Sequence, residues 1–262
     1  MAYEFDHQWK QERDRLAALE SVFDPYSQRG IRSVQPQPGW NCLEIGAGGG
    51  SMAEWMCGLV GDNGRVVATD LETKFLGAID SPALEVRRHN VATDPLQREE
   101  FDLIHSRAVL AHLPERDAIL VRLVDALKVG GWLVLVGADL TAVRAVGLPQ
   151  SEARFFDSAF ATMLDANRQL GFDPTYGRRL GAAFRSAGLA EVVMEGGIFE
   201  WTGKHPVAQL YSLTFQRLRP VVVGSGAMSE EDHERLVAMI TDPDFVGLSH
   251  TVYVARGRKL AA

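Results

Sequence analysis

The residues best equipped for chemistry in this chain lie between positions 42 and 112. In "CLEIGAGGGSMAEW" (42–55), Glu44 stands two residues ahead of a Gly46-x-Gly48-x-Gly50 cluster. Such a cluster lets a ligand approach the main chain, because no Cβ intervenes. The sixth position of a dinucleotide fingerprint is filled by Ser51, not glycine. A carboxylate at Glu44 repels a pyrophosphate but suits a ligand with a positively charged amino-acid head. Asp70 follows Gly50 by twenty residues and closes an apolar run. An acid there is placed to accept hydrogen bonds from two ribose hydroxyls, with capping of the next helix as the structural alternative. His112, in "LAHLPER", is the candidate general base, since imidazole titrates near neutral pH; its alternative is to tie down its own loop. His105 is read as a strand-end residue. Without HxH, HExxH or a cysteine cluster, no metal is expected. Ser51 does not sit in a nucleophile elbow, because Ala53 occupies the closing glycine position.

The elements that carry these residues alternate. An amphipathic helix is expected over 8–23, ending near "DPYSQRG", followed by a strand "WNCLEI" (40–45) and a helix over 51–60. Further strands are "RVVAT" (65–69), "LEVRR" (84–88), "FDLIH" (101–105) and "WLVLVG" (132–137), with a short helix at 72–79 and another over 116–128. Continuous apolar strands alternating with helices indicate a parallel sheet buried on both faces. Ligands of such sheets sit beyond the carboxyl ends of the strands. The second half reads as helices over 151–170 and 175–187, a strand "LAEVVMEG" (189–196), a helix carrying Val207, Leu210, Tyr211, Thr214 and Leu218, a helix over 229–241, and a closing strand "SHTVYVARG" (249–257). The excursions at about 140–172 and 200–243 leave from strand ends and are read as a substrate cap. Trp9, Tyr26, Phe155 and Phe156 are candidate pocket aromatics, which would suit a flat or apolar substrate; membership of the core is the alternative for each.

Composition narrows the partners. The 262 residues carry 27 Lys and Arg against 34 Asp and Glu, a net charge of -7. That balance disfavours nucleic acid, which calls for clustered cations. No run approaches the roughly 18–20 apolar residues of a membrane span. The charged N-terminal sequence lacks an apolar signal core, and Cys42 and Cys57 read as buried free thiols of a reducing compartment. A soluble cytoplasmic protein, monomer or homodimer, is expected.

Four motifs in order carry a family resemblance: "LEIGAGGG", "VVATD", "FDLIHSRAVLAHLP" and "LKVGGWLVLV". Over about residues 38–140 the chain resembles the class I S-adenosylmethionine-dependent methyltransferases. More narrowly it resembles actinobacterial small-molecule methyltransferases with an N-terminal helix and two helical cap insertions. The resemblance implies an α/β, Rossmann-like, seven-stranded, mostly parallel sheet with an antiparallel last strand, helices on both faces and a helical cap. It implies an N-terminal cap segment at 1–37 and a methyltransferase domain at 38–262. Gly46, Ala47 and Gly48 would line the methionine part of the cofactor, with Glu44 in or just behind that wall. Asp70 would hold the ribose and Leu71 flank the adenine. Asn90 stands where the family usually has an Asp facing the adenine amino group, with the backbone of Val91 as the alternative contact, and Ser106 would meet the cofactor's amino-acid end. Arg107 pairs with nearby acids or reaches the substrate.

The implied function is methyl transfer from S-adenosylmethionine to a small organic molecule, giving S-adenosylhomocysteine without a metal. O-methylation in specialised metabolism leads, with N- or C-methylation open. A cofactor-binding homologue that no longer methylates and a nicotinamide-dependent oxidoreductase are the competing readings.

Overall fold

The computed structural model describes residues 11–261. In chain order the elements are α1 (Glu12–Ser33), β1 (Asn41–Ile45), α2 (Ser51–Val60), β2 (Arg65–Asp70), β3 (Leu84–Arg88), β4 (Phe101–Arg107), α3 (Arg116–Ala126), β5 (Leu127–Asp139), β6 (Arg144–Ala145), α4 (Gln150–Gln169), α5 (Leu180–Ser186), β7 (Ala190–Gly197), β8 (Glu200–Thr202), α6 (Pro206–Gly224), α7 (Glu230–Thr241), β9 (Val246–Leu248) and β10 (Thr251–Arg258). They divide into two compact units. One holds Phe23–Gly137, Tyr176–Gly196 and the chain from Val252 on; the other holds residues up to Val22, Ala138–Thr175 and Gly197–Thr251.

The first unit is built on a seven-stranded sheet in the order β3-β2-β1-β4-β5-β10-β7. Neighbours from β3 to β5 pair in parallel. The last strand opposes them: Lys259 exchanges backbone hydrogen bonds with Gly130 and Gly131 at one end, whereas Val254 and Val134 converge on Gly30 at the other. The central strands β1, β2 and β4 are buried almost throughout, while the outer strands β3 and β7 are more open. That is the signature of a sheet covered on both faces. The chain steps outward from β1 to β2 on one side and to β4 on the other. The switch point therefore lies between β1 and β4, where the crevice of an open α/β sheet forms.

Several boundaries differ from the sequence reading. Helix α1 runs ten residues past 23, through Pro25. Proline costs a helix one hydrogen bond, yet the following turns bury Ser27 and Ile31 completely, which outweighs that loss. Residues 72–79 form only a short 3-10 turn at Leu76–Ala78, and the expected helix over 175–187 splits into a 3-10 turn, Tyr176–Arg179, and α5. Helix α3 stops at Ala126 and β5 begins at once. Residues 128–131 then bulge from the ladder, since Phe101 faces Leu127 but Leu103 faces Trp132.

The second unit contains α4, α6, α7 and a three-stranded antiparallel sheet, β6-β9-β8. Those strands are too short to show a period in sequence. Its helix α7 is capped as its composition requires: Ser229 accepts from the Asp232 amide at 3.0 Å, with acids in the first turn.

Candidate functional site

The loop between β1 and α2 is held from below by β2. The amides of Gly46 and Ala47 both donate to the Thr69 carbonyl, at 2.8 and 3.0 Å. The Gly48 amide donates to Asp70 Oδ2 at 2.8 Å, and the Gly50 amide to the Ala47 carbonyl at 2.9 Å. Gly46, Gly48 and Gly50 all take positive φ, 68°, 57° and 95°. At Gly46 a Cβ would also lie 2.3 Å from Val109 Cγ2, so the loop requires glycine on two counts. Four loop amides are thus spent inside the fold. A phosphate cradle needs such amides aimed outward.

Asp70 ends β2 and is buried. Its second oxygen accepts from the Glu72 amide at 3.2 Å. The carboxylate therefore both closes the glycine loop and starts the next turn. Leu71 beside it is exposed, 38%. Ala47 is buried.

Beneath the loop, Glu44 on β1 faces His105 on the adjacent β4 in direct register. His105 Nδ1 and Glu44 Oε2 are 2.5 Å apart, at 0% and 1% side-chain exposure. Burial pushes the Glu44 carboxyl above the ordinary carboxylate range, with the charge and hydrogen bond of His105 opposing and the negative charge of Asp70 reinforcing. His105 Nε2 has no hydrogen-bond partner among the described residues. Two residues on, Arg107 forms an ion pair with Asp24 of α1. Ser106 lies within β4, not past it, and its hydroxyl donates to the Ile45 carbonyl at 2.9 Å.

At the β3 end Asn90 engages its own turn. Its amide oxygen accepts from the Ala92 amide at 3.0 Å and its own amide donates to Asp94 Oδ2 at 2.9 Å. A short Asn side chain is suited to folding back on its own turn in this way. Val91 is buried, and Arg122 of α3 donates to the carbonyls of Val91, Ala92 and Asp94. That clamp was invisible in sequence, because an arginine on a helix carries no local signal of its target. The Glu44–His105 pair was legible in principle: both residues precede the ends of strands that the sheet order makes neighbours.

His112 is half-buried at the end of a 3-10 turn, where its amide donates to the Val109 carbonyl at 2.9 Å. Tyr26 is half-buried on α1, with Arg29 5.1 Å from its ring centroid. Trp9 lies outside the described residues. Both cysteines are buried free thiols. Among the described residues no group of three or more metal-type ligands occurs, and no helix is long and apolar enough to cross a membrane.

In the second unit Phe155 is half-buried beneath Arg235, 3.9 Å from its ring centroid, whereas Phe156 is fully buried. The structure places Phe156 in a core cluster, with Phe160 and Phe245 each at 5.5 Å, and Trp201 meets Phe245 at 4.9 Å. Tyr211 Oη and His250 Nδ1 are hydrogen-bonded at 2.6 Å. Burial lowers the His250 imidazole to about 4, so the ring is neutral. Phe156→Ala is expected to cost about 3–5 kcal/mol, the usual range for a large aromatic removed from a packed core. Phe155→Ala is expected to cost about 1 kcal/mol. Urea denaturation of the two variants checks the difference.

Residues 43–135 match the family model described as a methyltransferase domain. Over those residues the chain is similar to a methyltransferase domain. It is 30% identical over 139 residues to the ubiquinone biosynthesis O-methyltransferase of Chelativorans sp. (strain BNC1), covering 51% of this chain and 54% of that protein. The chain spans between about a third and just over half of the curated relatives first matched. Around the methyltransferase domain, the Haemonchus contortus phosphoethanolamine N-methyltransferase 2 in complex with S-adenosyl-L-methionine superposes with TM-score 0.59, 16% identity, and coverage of 97% of this chain and 59% of that one. The [4+2]-cyclase SpnF superposes with TM-score 0.54 at 14% identity, covering 91% and 82%. The sheet is therefore the Rossmann-like methyltransferase fold, a fold that is also found in a named cyclase.

Proposed function

We propose that this protein transfers a methyl group from S-adenosylmethionine to a small organic acceptor, with an oxygen acceptor of specialised metabolism as the leading case. The observation that carries this reading is the joint placement of Asp70 and the glycine loop at the β1–β2 ends. Asp70 sets a carboxylate beside the loop, which a ribose diol would suit, while the loop amides are spent inside the fold and Glu44 lies beneath them. A pyrophosphate suits neither feature; a nucleoside bearing a cationic amino-acid tail suits both.

The residues present fit such a cofactor by their chemistry. Asp70 would accept from the ribose hydroxyls, Glu44 would face the ammonium, Gly46, Ala47 and Gly48 would contact the methionine part through the main chain, and Ser106 would lie beside it. Leu71 and the backbone of Val91 would border the adenine. Asn90, already spent on its turn, would reach the adenine amino group only with its remaining lone pair. When bound, the cofactor supplies an electrophilic methyl group on a sulfonium, displaced in line. The protein's share is then positioning and exclusion of water, with His112 taking the acceptor's proton. Tyr26 would border the acceptor. We assign the protein to the cytoplasm, as a monomer or homodimer.

Calorimetric titration with S-adenosylhomocysteine, with NADH as the competing probe, tests the cofactor. Asp70→Ala is expected to weaken S-adenosylhomocysteine binding by about 30-fold, the loss of about 2 kcal/mol of charge-assisted hydrogen bonding. Binding of NADH alone overturns the reading. Tight S-adenosylhomocysteine binding without methylation of any phenol, amine or enol favours a non-methylating homologue, a reading that the cyclase sharing this fold keeps open.

A further inference from the structure

The pairing of Glu44 with His105 raises a question that the cofactor reading does not answer: why an acid facing a ligand's ammonium should already hold an imidazole. Glu44 Oε2 is engaged by His105 Nδ1 at 2.5 Å. Both side chains are essentially unexposed. Resting on the S-adenosylmethionine reading above, we propose that His105 is a positioning residue for the amino end of the cofactor, acting through Glu44: the pair holds one proton in the free protein and releases it when the ligand's ammonium docks on the carboxylate.

The argument is electrostatic. A carboxylate beside an imidazolium and a carboxylic acid beside a neutral imidazole contain the same number of protons and are both net neutral, so the pair titrates as a unit. Burial favours either neutral form over a bare carboxylate beside a neutral imidazole. In both neutral forms with Nδ1 facing Glu44, Nε2 carries a hydrogen, and that N–H finds no acceptor among the described residues. An unmet buried donor is costly. The proton is thus retained only while nothing else neutralises Glu44. An incoming ammonium supplies that charge from the ligand, after which the proton is redundant and Nε2 is left as a lone pair.

The other groups around the pair leave this balance in place. On β1, Cys42 is buried and its thiol is pushed up, chiefly by burial, so it stays protonated. On β4, Arg107 is matched by Asp24 of α1. On β5 the register partners of His105 and Arg107 are Val134 and Val136, which carry no charge. On β2, Asp70 raises the Glu44 carboxyl and so favours a proton on the pair in the free protein.

Proton release on binding requires affinity to rise with pH, and the coupling is reciprocal. Titration of the full chain with S-adenosylhomocysteine, between about pH 5.5 and 7.5 and in buffers of different ionisation enthalpy, reads it directly. About 0.5–1 proton is expected to be released, with the dissociation constant tightening by up to about tenfold per pH unit where release is complete. 5′-Methylthioadenosine, which shares the nucleoside thioether but lacks the amino-acid end, is expected to bind without proton release. His105→Asn keeps a donor near Nδ1 but removes the imidazole whose charge and hydrogen bond hold the Glu44 carboxyl down, so the rise of S-adenosylhomocysteine affinity is expected to move to higher pH. Wild-type binding without proton release overturns the proposal, as does equal release with 5′-methylthioadenosine or an unshifted pH profile in His105→Asn. Should His105→Asn lose its fold by circular dichroism, the wild-type comparison of the two ligands decides alone. Failure of S-adenosylhomocysteine to bind at any pH overturns the cofactor reading itself, and this proposal with it.

Discussion

Gly46→Ala is expected to weaken S-adenosylhomocysteine binding by about 100-fold while the sheet stays folded. Gly46 sits at φ 68°, where an L side chain costs about 1–2 kcal/mol. The new Cβ would also lie 2.3 Å from Val109 Cγ2, an overlap of the kind that costs about 1–3 kcal/mol in a packed site. The loop can escape both penalties by leaving its conformation, and a ligand that needs that conformation must then restore it. About 3 kcal/mol of restoring work corresponds to about 100-fold in affinity. The two contributions separate experimentally. Adding Val109→Ala to Gly46→Ala removes the overlap but not the φ penalty, so the double variant is expected to recover about tenfold. Unchanged binding in Gly46→Ala sinks the assignment of this loop to the ligand.

How much of this was legible beforehand depended on whether the signal was local. β2 and β5 announced themselves through the apolar stretches "VVA" and "WLVLV", because strands buried on both faces have no polar face to alternate with. The glycine loop and Asp70 were also legible, since loop position and residue type together carry the chemistry. The continuation of α1 past Pro25 was not. Proline is a local stop signal, and only the burial of Ser27 and Ile31 in the folded chain overrides it. The small β6-β9-β8 sheet escaped for a different reason: strands of two or three residues give no period to read. Within the site, Asn90 was a plausible adenine contact by type and position, but its own turn engages the side chain. His112 and His105 show the same division. The first drew notice through its loop, whereas the second acquires its partner only from strand register.

Arg107→Leu is expected to cost about 3–5 kcal/mol of stability in urea denaturation, the range for removing one member of a buried ion pair. Arg107 is 3% exposed by side chain and its partner Asp24 15%. Without the guanidinium, the Asp24 carboxylate keeps its desolvation penalty and loses the opposing charge. Asp24→Asn with Arg107→Leu removes both charges, and most of the lost stability is expected to return. A single variant within 1 kcal/mol of wild type would show that the pair is solvated in practice, despite its burial.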